Sequence, residues 1–585
     1  MPDFRHDAWI RPLRRVCQSA ALLHPVVHEP VNCTSTIVVI SFALLGCPVA
    51  VFPQEPAASI RAALASLVSD PDPAVGVLTR SEQVELTLLY ERDGYLPLWI
   101  DGAGRPGHEA RDAMTLLGRA ADEGLDPDDY HEGPLHRLMA GLEPESPLRF
   151  RSLASFDVVL SSAMLRYLHD VHGGRVDPRT IGLRLDVPGD PHDFAAYLRS
   201  AVVDRRLIEA VSQLRPPLAQ YGALRGMLTR YRLLAEGPTL EALPPIAAAV
   251  HPGGRYAGLG TLQRRLVALG DLPAETLAAG LATYEGTLVE GVKRFQVRHG
   301  LESDGILGKR TLEVLSVPLS RRIRQIELAL ERLRWLPHLG DQRLIAINIP
   351  MFRLWAWDSI PPSGMPSFGM DVIVGRALNT QTPVFVEQLQ EVVFRPYWNV
   401  PRSIARHEIL PIIERDPGYL RRQDMEIVRG SGDDARAVAG TAENIGLLRQ
   451  GALRVRQRPG SRNALGLVKF LFPNEENVYM HGTPAQSLFS RNRRDFSHGC
   501  VRVEDPAALA AWALADRPEW TEDRIHAAMT GSRSVRVKLV RPIQVILFYT
   551  TAAVMPEDGT IHFAEDIYLH DARLDRALAR PHPGE

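Results

Sequence analysis

Residues 481–503 read "HGTPAQSLFSRNRRDFSHGCVRV", and Cys500 sits there between a His-Gly and a Val-Arg. A buried structural thiol belongs among Val, Leu and Ala; a loop of Ser, His, Gly and Arg suits a thiol that reacts. A thiol attacks only as the thiolate, so a base or a positive field must stand beside it. Two histidines are candidates. His498 lies two residues before Cys500, and in an extended strand that spacing points both side chains the same way. His481 lies nineteen residues before it and follows "NVYM", which reads as a strand. A base fixed at that strand end, with the loop returning the cysteine to it, is the second arrangement. The other ring nitrogen of such a base needs an acceptor, and with no obvious Asp or Asn in place a backbone carbonyl would serve. Gly499 allows the backbone close to a reacting carbonyl, and the amides around Gly499 and Cys500 are candidate oxyanion donors. Arg502 suits either a substrate carboxylate or a bracing contact within the loop.

His481, His498 and Cys500 are also the residue types of a zinc site. Zinc needs a fourth ligand, or a water with a carboxylate base, and Asp495, Glu504 and Asp505 flank the loop at no recognised spacing. A nucleophile is therefore favoured over a metal ligand or an inert buried thiol, and no metal or other cofactor is expected.

The setting of the other cysteines strengthens this. Cys17, Cys33 and Cys47 lie in or before the apolar run "TIVVISFALLGCPVAVF" (36–52). Pro48 interrupts that run, which falls short of the roughly 20 residues of a spanning helix. With Arg5, Arg11, Arg14 and Arg15 upstream, it resembles the core of a secretory signal. "LLGC" at 44–47 resembles a lipoprotein-processing site, although Pro48 after the cysteine is atypical, and an uncleaved anchor is the remaining reading. If that segment is a targeting element, the exported domains hold one cysteine and no intramolecular disulfide. An oxidising compartment attacks an idle exposed thiol, so a retained one is buried and inert or a nucleophile. The expected location is periplasmic, with membrane contact only through the N-terminal segment and a monomeric mature chain. A net charge of −2 over 585 residues supplies no concentrated basic surface and argues against nucleic acid as a partner.

The elements that must hold the loop follow from periodicity. After a signal or anchor segment and linker (1–55), residues 56–250 carry apolar residues at three-to-four spacing, as in "SIRAALASLV", and predict a helical scaffold domain. No acid–base pair or metal spacing stands out in it; His169 and His172 in "YLHDVHGG" read as solvated or capping histidines. Residues 251–317 predict a small three-helix module. Leu259, Leu262, Leu266 and Leu269 form one stripe, Val289, Val292 and Phe295 a second, and Thr311, Leu312 and Leu315 a third, with Gly300, Gly305 and Gly308 in the turn. Residues 318–575 begin with one long helix, "SRRIRQIELALERLRWLP", and turn to strands such as "RLIAINIP", "GMDVIVG" and "EVVFRPYWNV". A polar stretch with helical pieces (401–465) interrupts the strands just before the candidate loop, where it can act as a lid. Residues 576–585 are a tail. The fold class is multidomain α+β: a helical N-terminal scaffold, a small three-helix module and a mostly-β domain with a helical lid insertion.

Two stretches carry a resemblance. "FQ-x-x-HGL-x-x-DG-x-x-G-x-x-T" (295–311) resembles the peptidoglycan-binding domain type 1 family. "HGTP…SHGCVRV" resembles the signature of the L,D-transpeptidase catalytic domain, the YkuD family. "INIPMFRLW", "VIVGRALNTQTPVF", "VVFRPYWNVPRSIARHEILP" and "IYLHD" are similar to its large periplasmic branch. That branch joins a helical scaffold, a peptidoglycan-binding module and a catalytic domain with a substrate-capping insertion. The resemblance implies Cys500 as nucleophile, His481 as base and the Gly482 carbonyl as the acceptor that orients His481. It implies that His498 and Gly499 shape the site and oxyanion hole and that Arg502 is the motif arginine. Tyr479, Trp398 and Asn399 are its candidates for lining the donor groove. The implied partners are peptidoglycan stem peptides and glycan. In the implied reaction Cys500 attacks a stem tetrapeptide at its third residue, releases D-Ala, and passes the acyl group to a second stem as a 3→3 cross-link. Carbapenems would acylate the same thiol. A hydrolase of stem peptides (an L,D-carboxypeptidase or cysteine peptidase) and a non-catalytic wall-binding protein are the alternatives.

Overall fold

In the computed structural model the 25-residue helix Arg149–Gly173 is buried along almost its whole length, and shorter helices surround it as the scaffold. A helix apolar on all sides can only be a core helix, and its polar residues must find partners there. Asp157 shows how: it accepts from the Tyr90 hydroxyl (2.7 Å) and from the Leu98 and Trp99 amides (3.0 and 2.8 Å). His169 and His172 are likewise occupied, by Glu85 (2.8 Å) and the Leu214 carbonyl (3.0 Å). Residues 55–579 are described except 71–77, 143–147, 186–191, 239, 278–279, 337–338, 340–341, 378–379 and 433. The expected signal or anchor, with Cys17, Cys33 and Cys47, and the end of the tail lie outside the described residues. Among the described residues no helix is long and apolar enough to cross a membrane.

The three stripes of the small module become helices Leu259–Leu269, Thr287–Arg298 and Lys309–Leu315, which converge on Leu262, Leu266, Val292 and Phe295. The turn between the last two runs through left-handed backbone at Gly300 and Gly305 (φ 63° and 70°). A side chain on Gly305 would stand 2.7 Å from Val289 Cγ1, so only glycine fits.

The strand-rich region closes on itself. Its strands are β1 (Leu344–Asn348), β2 (Arg353–Trp357), β3 (Phe368–Gly375), β4 (Phe385–Phe394) and β5 (Trp398–Asn399). Then come β6 (Met425–Arg429), β7 (Arg436–Val438), β8 (Arg454–Gln457), β9 (Val468–Leu471) and β10 (Met480–His481). The last are β11 (Asp495–Ser497), β12 (Val501–Val503), β13 (Val535–Phe548), β14 (Ala552–Val554) and β15 (Ile561–Phe563). The main sheet runs β11-β3-β12-β10-β9-β4-β13-β1-β2, and a further β2–β3 pairing closes eight of these strands into a ring with β11 attached to β3. Closure leaves the ring no free edge. Ile347, Val372, Val392, Phe470, Met480 and Val501 are fully enclosed within it.

One pairing decides where Cys500 goes. β10 and β12 are parallel, with Met480 opposite Val501 and His481 opposite Arg502. Parallel neighbours cannot be joined by a tight turn, so the chain must leave after β10 and return alongside it. The excursion is 482–500, and its return sets Cys500 down beside the strand it left.

The insertion at 401–465 differs from expectation. It carries helical pieces, among them a π-helical turn Ala405–Ile409, but its frame is a four-stranded sheet, β5-β8-β6-β7. The lid is therefore mixed α/β rather than helical. Charged cross-strand pairs conceal the alternation: Arg456 on β8 donates to Glu426 on β6 (3.0 Å), and so does Arg458 (2.7 Å).

Candidate active site

Alternation along the strands sorts the residues of the site before any contact is considered. Met480, Val501, Val503, Val468 and Phe470 point into the barrel core. Their neighbours Tyr479, His481, Cys500, Arg502 and Lys469 must then share the opposite face. His481 is paired with Lys469 on one side and with Arg502 on the other. Cys500 stands one pair earlier, next to Tyr479, whose carbonyl accepts from the Val501 amide (3.1 Å).

His481 is buried, and its Nδ1–H donates to the Gly482 carbonyl at 2.5 Å. The carbonyl of Leu465 also borders the ring. This fixes the tautomer and leaves Nε2 as the acceptor. Burial, reinforced by the charges of Arg502 and Lys469, holds the imidazole at about 3, so it is neutral at physiological pH. The Cys500 thiol is free, half-buried and pushed upward by burial, against the opposing influence of Tyr479, Lys469 and Arg502. At rest the sulfur points to the Asn477 carbonyl (3.8 Å) and the Tyr479 side chain rather than to His481. On neighbouring strands, two residues apart on one face, the Cys500 and His481 backbones stand roughly 8 Å apart, within reach of two converging side chains. Catalytic contacts of this kind are commonly loose before substrate binds.

The turn before the thiol is pinned on both sides. Gly499 adopts φ 112°, a left-handed conformation that disfavours other residues. Its carbonyl accepts from Thr382 Oγ1 (2.7 Å), and Ser497 Oγ donates to the Cys500 carbonyl (2.6 Å). The Gly499 N–H donates to Ser497 Oγ (3.1 Å), so in this structure it shapes the loop and is not an open oxyanion donor.

The remaining expected residues separate. Tyr479 lies against the thiol, with the Lys469 ammonium 3.7 Å from its ring centre. His498 turns outward and meets Glu408 of the π-helical turn at 2.9 Å, tying the lid to the catalytic loop. Trp398 and Asn399 form β5 of the lid sheet; Trp398 packs on the lid's own core and Asn399 is exposed. Among the described residues neither makes a hydrogen bond or ring contact with Cys500 or His481. Both belong to the lid sheet, because β5 pairs with β8. Sequence reasoning missed Lys469, Asn477, Ser497 and Thr382. A lysine amid the apolar "LVKFLF" was the one available signal.

No metal arrangement forms around Cys500 among the described residues. One group that could hold an ion, His108, Glu109 and Asp112, lies on the partly exposed face of the scaffold helix His108–Gly118. A cleft of about 1120 Å³ lies between the small module and the barrel and includes neither Cys500 nor His481.

The comparisons with known proteins meet this geometry. Residues 342–537, which contain the paired strands and Cys500, match the L,D-transpeptidase catalytic domain family, YkuD. This region is an L,D-transpeptidase catalytic domain. Ahead of it, residues 84–228 match a "Scaffold domain" and residues 255–315 a "Putative peptidoglycan binding domain". A relative from Haemophilus influenzae named "Putative L,D-transpeptidase" is 30% identical over 294 residues. The match covers 49% of this chain and 58% of that relative's length. The L,D-transpeptidase domain thus sits behind a helical scaffold and a wall-binding type of module.

Proposed function

We propose that the protein is a periplasmic L,D-transpeptidase that joins peptidoglycan stem peptides through a Cys500 thioester. One observation carries the reading: Gly482 holds the His481 Nδ1–H, which leaves a neutral Nε2 on the face that presents the Cys500 thiol. A neutral thiol beside a neutral imidazole calls for proton transfer during attack rather than a standing ion pair. The thiol turns from the Asn477 carbonyl toward Nε2, gives up its proton there, and the sulfur bonds to the carbonyl carbon of the third stem residue. The imidazolium returns the proton to the departing amine as the C–N bond breaks and D-Ala leaves. An acceptor amine then attacks the thioester, loses a proton to His481, and releases the thiol with a new amide in place. Water in that second step would give a tripeptide instead, so a lid tied to His498 favours transfer by excluding it.

Incubation with tetrapeptide-bearing muropeptides tests this. Cross-linked dimers with one D-Ala released per link are expected; tripeptides alone would mean hydrolysis. Cys500→Ala is expected to lower turnover by about a thousandfold or more, as loss of a nucleophile does. Unchanged behaviour of that variant would leave wall binding alone. A carbapenem is expected to add once per chain, at Cys500, by intact mass.

A further inference from the structure

We infer that Arg184 and Asn477 are positioning residues for the nucleophile. Arg184 clamps the loop 472–479 between β9 and β10, and the Asn477 carbonyl of that loop parks the Cys500 thiol away from His481. This depends on Cys500 being the nucleophile, and not on which group receives the acyl.

The resting thiol donates to the Asn477 carbonyl (3.8 Å). A hydrogen bond given by the neutral thiol favours that form over the thiolate and keeps the sulfur turned toward the loop. The backbone aims the carbonyl: Asn477 is left-handed (φ 54°), a conformation that asparagine tolerates better than most residues. Its Nδ2 donates back to the Glu475 carbonyl (3.2 Å). Asn474 pins the neck of the loop, donating to the Phe472 and Val478 carbonyls (2.6 and 2.7 Å) and accepting from the Val478 amide (3.0 Å). The tip, Glu475 and Glu476, is the part left to be held.

A segment distant in sequence holds it. Val176, Leu183 and Leu185, which follow the long helix Arg149–Gly173, are buried in the barrel core. Between the two leucines Arg184 is exposed, and its backbone bridges to Phe385 at the start of β4. The Phe385 ring lies 6.1 Å from that of Phe472, where the loop begins. The Arg184 guanidinium meets Glu476 and, at 3.6 Å, Glu475. Two buried leucines thus anchor the arginine, the arginine fixes the two acids, and the acids precede the carbonyl that holds the sulfur.

Attack requires the sulfur to leave that carbonyl for Nε2 of His481. Loosening the loop therefore frees the thiol, which then ionises more readily and faces the base more often. Arg184 is mostly exposed, so the leverage of its ion pairs is modest and open to screening by salt.

Alkylation of Cys500 by iodoacetamide in the full chain at about pH 8, followed by intact mass, tests the inference. In low salt Arg184→Ala is expected to react about threefold faster than wild type, and Arg184→Lys, which keeps the charge, to stay close to wild type. In about 1 M salt, where charges act over only roughly 3 Å, the ratio of Arg184→Ala to wild type is expected to close to about one. Glu476→Arg is expected to react faster as well, and Glu476→Arg combined with Arg184→Glu to return toward the wild-type rate. Equal rates for Arg184→Ala and wild type in low salt would overturn the inference. So would a ratio that salt leaves unchanged, or a charge exchange that restores nothing. If wild type forms neither dimer nor tripeptide from muropeptides while the alkylation contrast holds, the clamp stands and the transpeptidase reading fails.

Discussion

His481 and Cys500 rest as a neutral pair, and that makes the pH dependence distinctive. The buried imidazole titrates at about 3, whereas an unfolded histidine titrates near 6.5. Between those values the unfolded chain binds a proton that the folded chain refuses, so His481 makes stability rise with pH over that window. Stability is expected to be level in this respect above about 6.5 and to fall as the pH drops below it. His562 and His570, both held at about 4 chiefly by burial, act in the same direction. Because burial raises the thiol, its alkylation by iodoacetamide is expected to climb about tenfold per pH unit from roughly 6 to 9, with no acid plateau. A plateau between pH 4 and 7 would reveal a thiolate–imidazolium pair and contradict the neutral one. His481→Gln is expected to remove peptide turnover by about a thousandfold while changing alkylation at pH 9 little, since at that pH hydroxide does the work of the base.

At the scale of elements, the β10–β12 pair and the lid are what turn residues into a site. The tie between Glu408 and His498 is partly exposed, so its contribution to stability is small and its effect is positional. Glu408→Ala is expected to lower donor kcat/KM by about two- to fivefold and to raise the tripeptide-to-dimer ratio, as a looser lid admits water. Product analysis of the muropeptide reaction reads both, and an unchanged ratio would separate the lid from water exclusion. The helices and barrel strands were legible because burial imposed clear periods on them: Leu259, Leu262 and Leu266 in the module, Val372 and Val374 in β3. His481, Gly482 and Cys500 could be singled out because the motif that carries them lies within one stretch of sequence. Lys469 could not, since its approach to His481 depends on which distant strands pair, and periodicity carries no such information. That Trp398 belongs to the lid sheet is likewise visible only in the β5–β8 pairing. The lid strands escaped notice because Glu426 and Arg456 sit where an apolar alternation would have announced them.

At the scale of the molecule, the helix Leu319–Arg334 binds scaffold to barrel. Ile326, Leu330 and Leu333 pack against Tyr221, Leu224 and Leu228 of the scaffold, while Leu328 enters the barrel core. At its end Arg334 is fully buried, donating to Glu331 (2.9 Å), to the Tyr221 hydroxyl (3.0 Å) and to the Glu123 carbonyl. Glu331 in turn accepts from the Arg175 and Val176 amides (2.6 and 2.9 Å), and Glu123 accepts from Arg215 and Arg225 (both 2.8 Å). Removing the central cation leaves Glu331 buried without its counter-charge, a change that costs about 3–5 kcal/mol where a buried pair is broken. Arg334→Ala is therefore expected to lower the denaturant midpoint by that equivalent, whereas Glu331→Gln, which keeps an acceptor for the two amides, should lose much less. None of these groups touches Cys500 or His481. The alkylation rate of Arg334→Ala at low temperature should accordingly match the wild type and collapse only on warming, at a lower temperature than wild type. A slowed rate in the cold would mean that the scaffold tunes the thiol directly, not only the rigidity of the barrel that carries it.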